Sequence, residues 1–185
     1  MSTKVKFCGI CSERDIDFVN ITKPDFIGFV FVESRWRISV EMAMNLRQRL
    51  TAGIIPIGIF CNESQEMIQS LYHDGIIEMA TFYGGYSCQS DCPSITLWPD
   101  TSGDYALFDK SKDGVGGTGE QLDWNELPTT DKPFFLAGGL TPTNVEEAIR
   151  LTHPYAVDVI SGIETDGKKD LAKMQTFIER VRNNG

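Results

Sequence analysis

The chain has 185 residues, of which 41% are hydrophobic and 23% are charged, and its formal net charge is −9 at pH 7. That length allows one domain with a continuous core, and the acidic balance disfavours nonspecific nucleic-acid binding. No apolar stretch is long enough to span a bilayer, and the N-terminus does not resemble a secretion signal. The five cysteines, an odd number, predict reduced thiols in a cytoplasmic protein rather than a disulfide framework.

Strand and helix patterns alternate through the first eighty residues. Strands are predicted at residues 5–8, 26–32, 54–60 and 76–79, and helices at 13–20, 39–50 and from Asn62 or Ser64 to 73. The run at 26–32 is almost entirely apolar, which is typical of a strand buried on both faces of a parallel sheet. Ser39 is expected to cap the second helix, whose buried stripe would carry Met42, Leu46 and Leu50.

The pattern weakens at residues 80–104 and then returns. Only the patch at 95–98 is apolar in that region, and no amphipathic helix fits it. Further strands are predicted at 105–108, 134–137 and 157–160, with helices near 120–127, from Thr141-Pro142 onward, and at 169–182. Such alternation predicts an α/β fold with a parallel sheet. Eight strands predict one (β/α)8 TIM barrel domain over residues 1–185, with shortened or irregular crossovers around strands 4 and 5.

Three glycine turns follow the later predicted strands. They are the glycine-rich loop at 114–119, Ala137-Gly138-Gly139-Leu140, and Ser161-Gly162. Glycine lets backbone N–H groups approach an anion, and barrels commonly bind phosphate with the loops after strands 7 and 8. We therefore predict a small phosphorylated substrate, bound at Gly117, Gly138, Gly139, Ser161 and Gly162. The alternative, that these glycines are ordinary turn residues, fits three successive turns less well.

Six segments together resemble the phosphoribosylanthranilate isomerases of tryptophan biosynthesis. They are Lys6-Phe7-Cys8-Gly9-Ile10, Phe26-Ile27-Gly28-Phe29-Val30-Phe31, Ile57-Gly58-Ile59-Phe60-Cys61-Asn62-Glu63, the stretch 108–124, Leu136-Ala137-Gly138-Gly139-Leu140-Thr141-Pro142-Thr143-Asn144-Val145, and Ala156-Val157-Asp158-Val159-Ile160-Ser161-Gly162-Ile163-Glu164 with 167–170. The resemblance implies a (β/α)8 barrel without cofactor or metal. It also implies an Amadori rearrangement of N-(5-phosphoribosyl)anthranilate to 1-(2-carboxyphenylamino)-1-deoxyribulose 5-phosphate.

The same resemblance implies that Cys8 is the general base and Asp109 the general acid. Both residues end predicted strands, so both are expected at the catalytic end of a barrel. A cysteine acts as a base only as thiolate, so we expect the pKa of Cys8 to be lowered, with Lys6 on the same strand face contributing. Asp109 would instead have to hold a proton, through burial or a nearby anion.

The sequence departs from the family pattern at two places. An arginine after strand 2 binds the anthranilate carboxylate in the family, but Trp36 stands in that column, so Arg37 is the first choice and Arg35 the second. The family's strand 4 ends in a Gln-Leu-His-Gly-like segment, whereas the matching stretch here is Glu78-Met79-Ala80-Thr81, so that signature is lost. A diverged barrel that binds a sugar phosphate with weak or no isomerase activity therefore stays an alternative.

Other functions remain open at the level of sequence. Cys8, Cys11, Cys88 and Cys92 could form a zinc site, and Cys8-x-x-Cys11 could be a thioredoxin-like motif, but neither explains the glycine turns. The barrel ribonucleotide isomerase of histidine biosynthesis would carry an aspartate on strand 1, where this chain has cysteine. Asp158 is expected to be structural. The oligomeric state is left as monomer or homodimer.

Overall fold

The computed structural model describes residues 2–83, 91–100, 102–110 and 122–183. Eight parallel strands form a closed barrel in which each strand pairs with the next along the chain and β8 pairs with β1. The strands are β1 Lys4–Cys8, β2 Phe26–Val30, β3 Ile55–Phe60, β4 Met79–Phe82, β5 Ser94–Leu97, β6 Tyr105–Phe108, β7 Phe134–Leu136 and β8 Ala156–Val159. The predicted (β/α)8 barrel is confirmed. Because all strands are parallel, their carboxyl ends lie at one end, here called the barrel mouth.

Five helices surround the barrel within the described residues. They are α1 Glu13–Thr22, α2 Val40–Arg49, α3 Gln65–His73, α4 Val145–Thr152 and α5 Leu171–Asn183. The side chains of Ser39 and Ser64 accept hydrogen bonds from the third residue of α2 and α3, so the predicted N-caps are confirmed. The predicted stripe of α2 was wrong at Met42, which is exposed, because α2 turns Ala43 and Leu46 toward the barrel.

Strand 4 lies three residues later than predicted. Gly75, with φ +68°, ends the turn after α3, and the N–H groups of Ile76 and Ile77 both donate to Leu71 O. These two isoleucines therefore complete the end of α3 and pack into the outer core rather than entering the barrel. The pairing with β3 starts at Met79 opposite Ile57.

The crossovers around strands 4 and 5 are short, as predicted. No helix occurs in the described residues on either side of β5, which are 91–93 before it and 98–100 and 102–104 after it. The helix predicted near 120–127 is, within its described part, a single 3₁₀ turn at Trp124–Glu126. In place of the predicted helical start at Pro142, Thr141–Asn144 form a turn in which Thr141 N–H donates to Asn144 Oδ1 at 2.8 Å. Two short antiparallel strands, β9 Glu164–Thr165 and β10 Lys168–Lys169, delay α5 to Leu171.

Buried apolar side chains form two layers. One layer fills the barrel interior, with Cys8, Phe26, Ile57, Leu107 and Phe135 among its members, and a second layer lies between the strands and the helices. Successive strand residues alternate between the two layers, because side chains alternate across a strand. The alternation on β1 therefore directs Lys6 and Cys8 into the barrel. Across the described residues, no helix combines the length and apolarity that crossing a membrane requires.

Candidate active site

A buried ion pair lies inside the barrel below the mouth. Lys6 and Asp158 are direct partners in the register between β1 and β8, and Lys6 Nζ lies 2.7 Å from Asp158 Oδ2. Their side chains are only 1% and 6% exposed. Burial acts to lower the pKa of Lys6, but the charge of Asp158, with smaller effects of Cys8 and Asp109, raises it above its usual value. Asp158 is therefore part of the charged interior of the site, which its strand position alone did not reveal.

The Cys8 sulfur reaches the mouth through a space that Gly28 leaves open. These residues are paired between β1 and β2, and a Cβ on Gly28 would lie 2.5 Å from Cys8 Sγ. Burial raises the pKa of the Cys8 thiol to about 11, and the opposing effect of Lys6 is smaller. The expectation of a lowered pKa was wrong, because the thiol is buried and Asp158, beside Lys6, itself opposes ionisation of Cys8. Cys8 is therefore a neutral thiol in the unliganded protein at neutral pH.

Asp109 directly follows β6, so it stands at the same rim as Cys8. It is half-buried, and one carboxyl oxygen, Oδ2, accepts a hydrogen bond from the hydroxyl of Tyr83 at 3.2 Å. Tyr83 directly follows β4 and is buried in the same interior layer as Cys8. Burial, followed by the charges of Asp109, Asp158 and Cys8, raises the pKa of Tyr83 well above its usual value, so the phenol stays protonated.

The sequence pattern missed Tyr83 because strand 4 was placed too early. With β4 ending at Phe82, the segment at the strand end is Thr81-Phe82-Tyr83-Gly84 and not Glu78-Met79-Ala80-Thr81. A polar aromatic residue followed by two glycines was the available signal.

The loops after β7 and β8 meet backbone to backbone at the mouth. Gly138 and Gly139 have φ values of +83° and +66°, a region that favours glycine. A Cβ on Gly162 would lie 1.9 Å from Leu140 O, so no side chain fits there. The N–H groups of Gly139, Ser161 and Gly162 donate to no acceptor in the described part of the chain, and all three residues are half-buried. These three N–H groups are here called the amide cradle. Gly138 belongs to the turn that presents Gly139, while Gly117 lies outside the described residues.

The loop after β2 turns its two arginines in different directions. Arg37 pairs with Glu33 on the exposed surface. Arg35 donates from Nη2 to Glu164 Oε2 at 2.5 Å, and its guanidinium lies 4.1 Å from the ring centroid of Trp36. Trp36 is buried in the interior layer that includes Cys8, and its Cδ1 lies near Gly9, where a Cβ would approach it to 2.9 Å. Arg35 therefore contacts Trp36 and the loop after β8, whereas Arg37 pairs with a residue of its own loop.

Glu164 holds this loop against the loop after β8. Its carboxylate also accepts from Trp36 Nε1 and from Lys169 Nζ, each at 2.8 Å. Burial alone would raise the pKa of Glu164, but Lys169 and the hydrogen bonds from Trp36 and Arg35 lower it overall. The ionised carboxylate of Glu164 therefore holds both the indole of Trp36 and the guanidinium of Arg35 in place.

The described cysteines do not assemble into a metal site. Cys8 lies in the interior layer, whereas Cys11 and Cys92 pack in the outer layer. Residues 2–83, 91–100, 102–110 and 122–183 contain no cluster of three His, Cys, Asp or Glu side chains suited to a metal ion. Cys88 lies outside the described residues, so the four-cysteine arrangement stays a prediction that they do not support.

Comparison with known proteins gives consistent matches over nearly the whole chain. Residues 82–180 match the family model of N-(5'-phosphoribosyl)anthranilate (PRA) isomerase. The N-(5'-phosphoribosyl)anthranilate isomerase of Caldanaerobacter subterraneus subsp. tengcongensis is 40% identical over 97% of this chain and 98% of its own length. The same enzyme of Streptococcus pneumoniae is 37% identical over 98% of this chain and 96% of its own length.

Solved structures of the same enzyme superimpose closely on the chain. The phosphoribosyl anthranilate isomerase of Thermotoga maritima matches with a TM-score of 0.84 at 28% identity, covering 98% of this chain and 99% of its own. A structure of the isomerase in complex with reduced 1-(o-carboxyphenylamino)-1-deoxyribulose 5-phosphate matches with a TM-score of 0.82 at 27% identity, with coverage of 98% and 99%. By its fold, its sequence and the length over which both agree, the chain belongs to the N-(5'-phosphoribosyl)anthranilate isomerase family.

Proposed function

We propose that Cys8 is the general base and Asp109 the general acid of the isomerase reaction that family membership assigns to this chain. The reaction converts N-(5'-phosphoribosyl)anthranilate to 1-(2-carboxyphenylamino)-1-deoxyribulose 5-phosphate in tryptophan biosynthesis. The single observation that supports these roles is geometric. Cys8 and Asp109 end parallel strands at the same rim, and the charge of Lys6 acts on both.

The two groups account for the proton movements of the reaction without another reagent. Asp109 donates a proton to the ribose ring oxygen, the C1–O bond breaks, and a protonated Schiff base forms between C1 and the anthranilate nitrogen. Cys8, as thiolate, removes the proton from C2, and the electrons of that C–H bond form a C1=C2 bond while the nitrogen is neutralised. The resulting enol becomes the ketone when C1 gains a proton from the Cys8 thiol, directly or through water, and the C2 hydroxyl gives its proton to the Asp109 carboxylate. Both groups return to their starting forms.

The raised pKa of Cys8 sets a condition on this mechanism. A thiol with a pKa of about 11 is a thiolate in only about one molecule in 10³ at pH 8. The reactive form is then a minor one, in which Cys8 has lost its proton while Asp109 keeps one. Lys6 stabilises that thiolate, and a thiolate of high pKa is also the stronger base.

The amide cradle is proposed to bind the substrate phosphate. Gly139, Ser161 and Gly162 present N–H groups, and Asn144 fixes the cradle by donating from Nδ2 to Gly139 O at 3.0 Å. Backbone donors suit this acidic chain, whose net charge of −9 would repel an anion at long range. Gly117 would add a fourth donor.

Arg35 is proposed to bind the anthranilate carboxylate. Its side chain is 48% exposed, although Nη2 donates to Glu164 and Nη1 donates to Gly167 O. Its remaining donors can pair with a carboxylate, and the buried face of Trp36 beside Cys8 offers an apolar surface for an aromatic ring. Arg37 stays the alternative, and it would have to leave Glu33.

We further infer that residues 1–185 act as one domain, in the cytoplasm, as a monomer or homodimer. The barrel closes between β1 and β8, and α5 contacts both α1 and α4, which supports one domain. The Thermotoga maritima relative is described as a dimeric isomerase from which monomers have been generated, so both states are compatible with the fold. The acidic balance argues against nucleic-acid partners.

The test is turnover of Cys8→Ala and Asp109→Ala, followed by the loss of anthranilate fluorescence after mixing with freshly prepared phosphoribosylanthranilate. We expect each variant to lose about 10²-fold or more in kcat, the usual scale for positioned acid–base groups. Cys11→Ala, in the outer layer, and Asp104→Ala, on the exposed surface before β6, are matched controls outside the barrel interior, and each should keep nearly full activity. A Cys8 or Asp109 variant with the activity of its control would remove that residue from the mechanism. A slow unmodified protein would instead favour the diverged homologue.

A further inference from the structure

Tyr83 makes a side-chain contact with Asp109 that the acid–base mechanism does not yet use. Tyr83 directly follows β4, and its hydroxyl donates to Oδ2 of Asp109, which follows β6, at 3.2 Å. Its ring is 7% exposed, in the same interior layer as Cys8 and Trp36. A buried phenol with its hydroxyl aimed at one carboxyl oxygen is a donor in a fixed position, since a tyrosine ring has few rotamers.

We propose that Tyr83 is the positioning residue of Asp109, whose carboxyl group it orients toward the ribose ring oxygen by donating to Oδ2. A hydrogen bond from a donor in a fixed position holds the plane of the carboxyl group and so sets the direction in which Asp109 gives its proton. The inference rests on the proposed role of Asp109 as the acid.

The surroundings of Tyr83 keep it a donor throughout the working range of pH. The titratable groups that act on it from the neighbouring strands are Asp109 after β6, Asp158 on β8 and Cys8 on β1, and ionisation of any of these disfavours a phenolate. Lys6, the nearby cation on β1, is occupied by Asp158. Tyr83 therefore donates and does not exchange its own proton with the substrate.

This hydrogen bond must also affect the acidity of Asp109. A donor to a carboxylate stabilises the ionised form and lowers its pKa, so removing the donor raises it. A hydrogen bond to a charged group changes the pKa by about one unit. A role of Tyr83 in packing alone would leave the pKa of Asp109 where it is, because phenylalanine fills the same space.

The experiment is a titration of Asp109 by ¹³C NMR in protein labelled at the aspartate carboxyl carbons, with the Asp109 signal assigned by its loss in Asp109→Asn. In Tyr83→Phe we expect the pKa of Asp109 to rise by about one unit. We expect kcat, corrected for the fraction of protein in which Asp109 is protonated, to fall roughly tenfold with KM little changed. Tyr105→Phe is the matched control, since Tyr105 starts β6 at the opposite end of the barrel. In unmodified protein labelled at tyrosine Cζ, the Tyr83 signal should follow the titration of Asp109.

An Asp109 pKa that is the same in Tyr83→Phe and Tyr105→Phe would overturn the proposal, as would a shifted pKa with an unchanged corrected kcat. A Tyr83 Cζ signal that ignores the titration of Asp109 would overturn it without any substitution at that position. Failure of the proposed function looks different, because full activity of Asp109→Asn removes the acid role whatever the titration shows.

Discussion

Replacing Lys6 by methionine tests how strongly the interior of the site depends on its ion pair. At a separation of 2.7 Å the direct attraction is about 6 kcal/mol at an effective dielectric constant of about 20. Desolvation of both charges offsets much of that, so the intact pair contributes little net stability. Lys6→Met, however, leaves Asp158 buried without its cation, and we expect a loss of about 3–5 kcal/mol.

The assay is urea unfolding at pH 7.5, followed by circular dichroism, with Arg49→Met as the control. Arg49 lies 3.0 Å from Glu13, but the two side chains are 46% and 63% exposed, so its loss should cost under about 1 kcal/mol. Because the pKa of Lys6 is raised in the folded state, its stabilisation is present below the unfolded pKa and is lost as pH rises through the folded pKa. The deficit of Lys6→Met should therefore shrink only above about pH 10.4. Equal losses in the two variants at pH 7.5 would refute the reasoning.

Three further outcomes follow from the same contacts. Gly28→Ala places a Cβ 2.5 Å from Cys8 Sγ, so it should reduce the free energy of unfolding by about 1–3 kcal/mol and lower kcat. The control Gly53→Ala, before β3, should leave kcat unchanged. Equal kcat values in the two variants would contradict this prediction. Burial raises the pKa of Cys8 to about 11, so the rate at which iodoacetamide alkylates Cys8 should rise about tenfold per pH unit from about pH 7 to 10. Peptide mass spectrometry measures this rate. A rate that stops rising below about pH 9 would argue against a raised pKa. Since the pKa of Glu164 is lowered in the folded state, the stabilisation that Glu164 provides is present above its unfolded pKa and is lost as pH falls through its folded pKa. Glu164→Gln should therefore reduce the free energy of unfolding by roughly 2 kcal/mol at pH 7 and by much less at pH 3. A reduction that does not depend on pH would contradict this reasoning.

The parts of the fold that the sequence predicted well depend on local signals. The apolar runs of β2 and β3 have no competing interpretation, and Ser39 and Ser64 are capping residues at the start of helical patterns. Strand 4 failed because Ile76-Ile77 and Met79-Ala80 are two adjacent apolar pairs, and only tertiary packing decides which one enters the sheet.

The site divides in the same way. Parallel strands alone predict that Cys8 and Asp109 lie at the same rim. They do not predict which residues the neighbouring side chains contact. Lys6 meets Asp158 only because β8 closes on β1, and burial, which no sequence pattern measures, sets the direction of the Cys8 pKa. The choice between Arg35 and Arg37 likewise depends on the position of Glu164.

The central claim is that the Cys8 sulfur removes the proton from C2 of the substrate. The most direct measurement uses phosphoribosylanthranilate carrying deuterium at ribose C2 and follows the loss of the label from C2, to water or to C1, in a single turnover. The unmodified protein should lose the label from C2 as product forms, and Cys8→Ala should lose it at least about 10²-fold more slowly, although it still binds the phosphate. Loss of the label from C2 in Cys8→Ala at the rate of the unmodified protein would show that another group is the base.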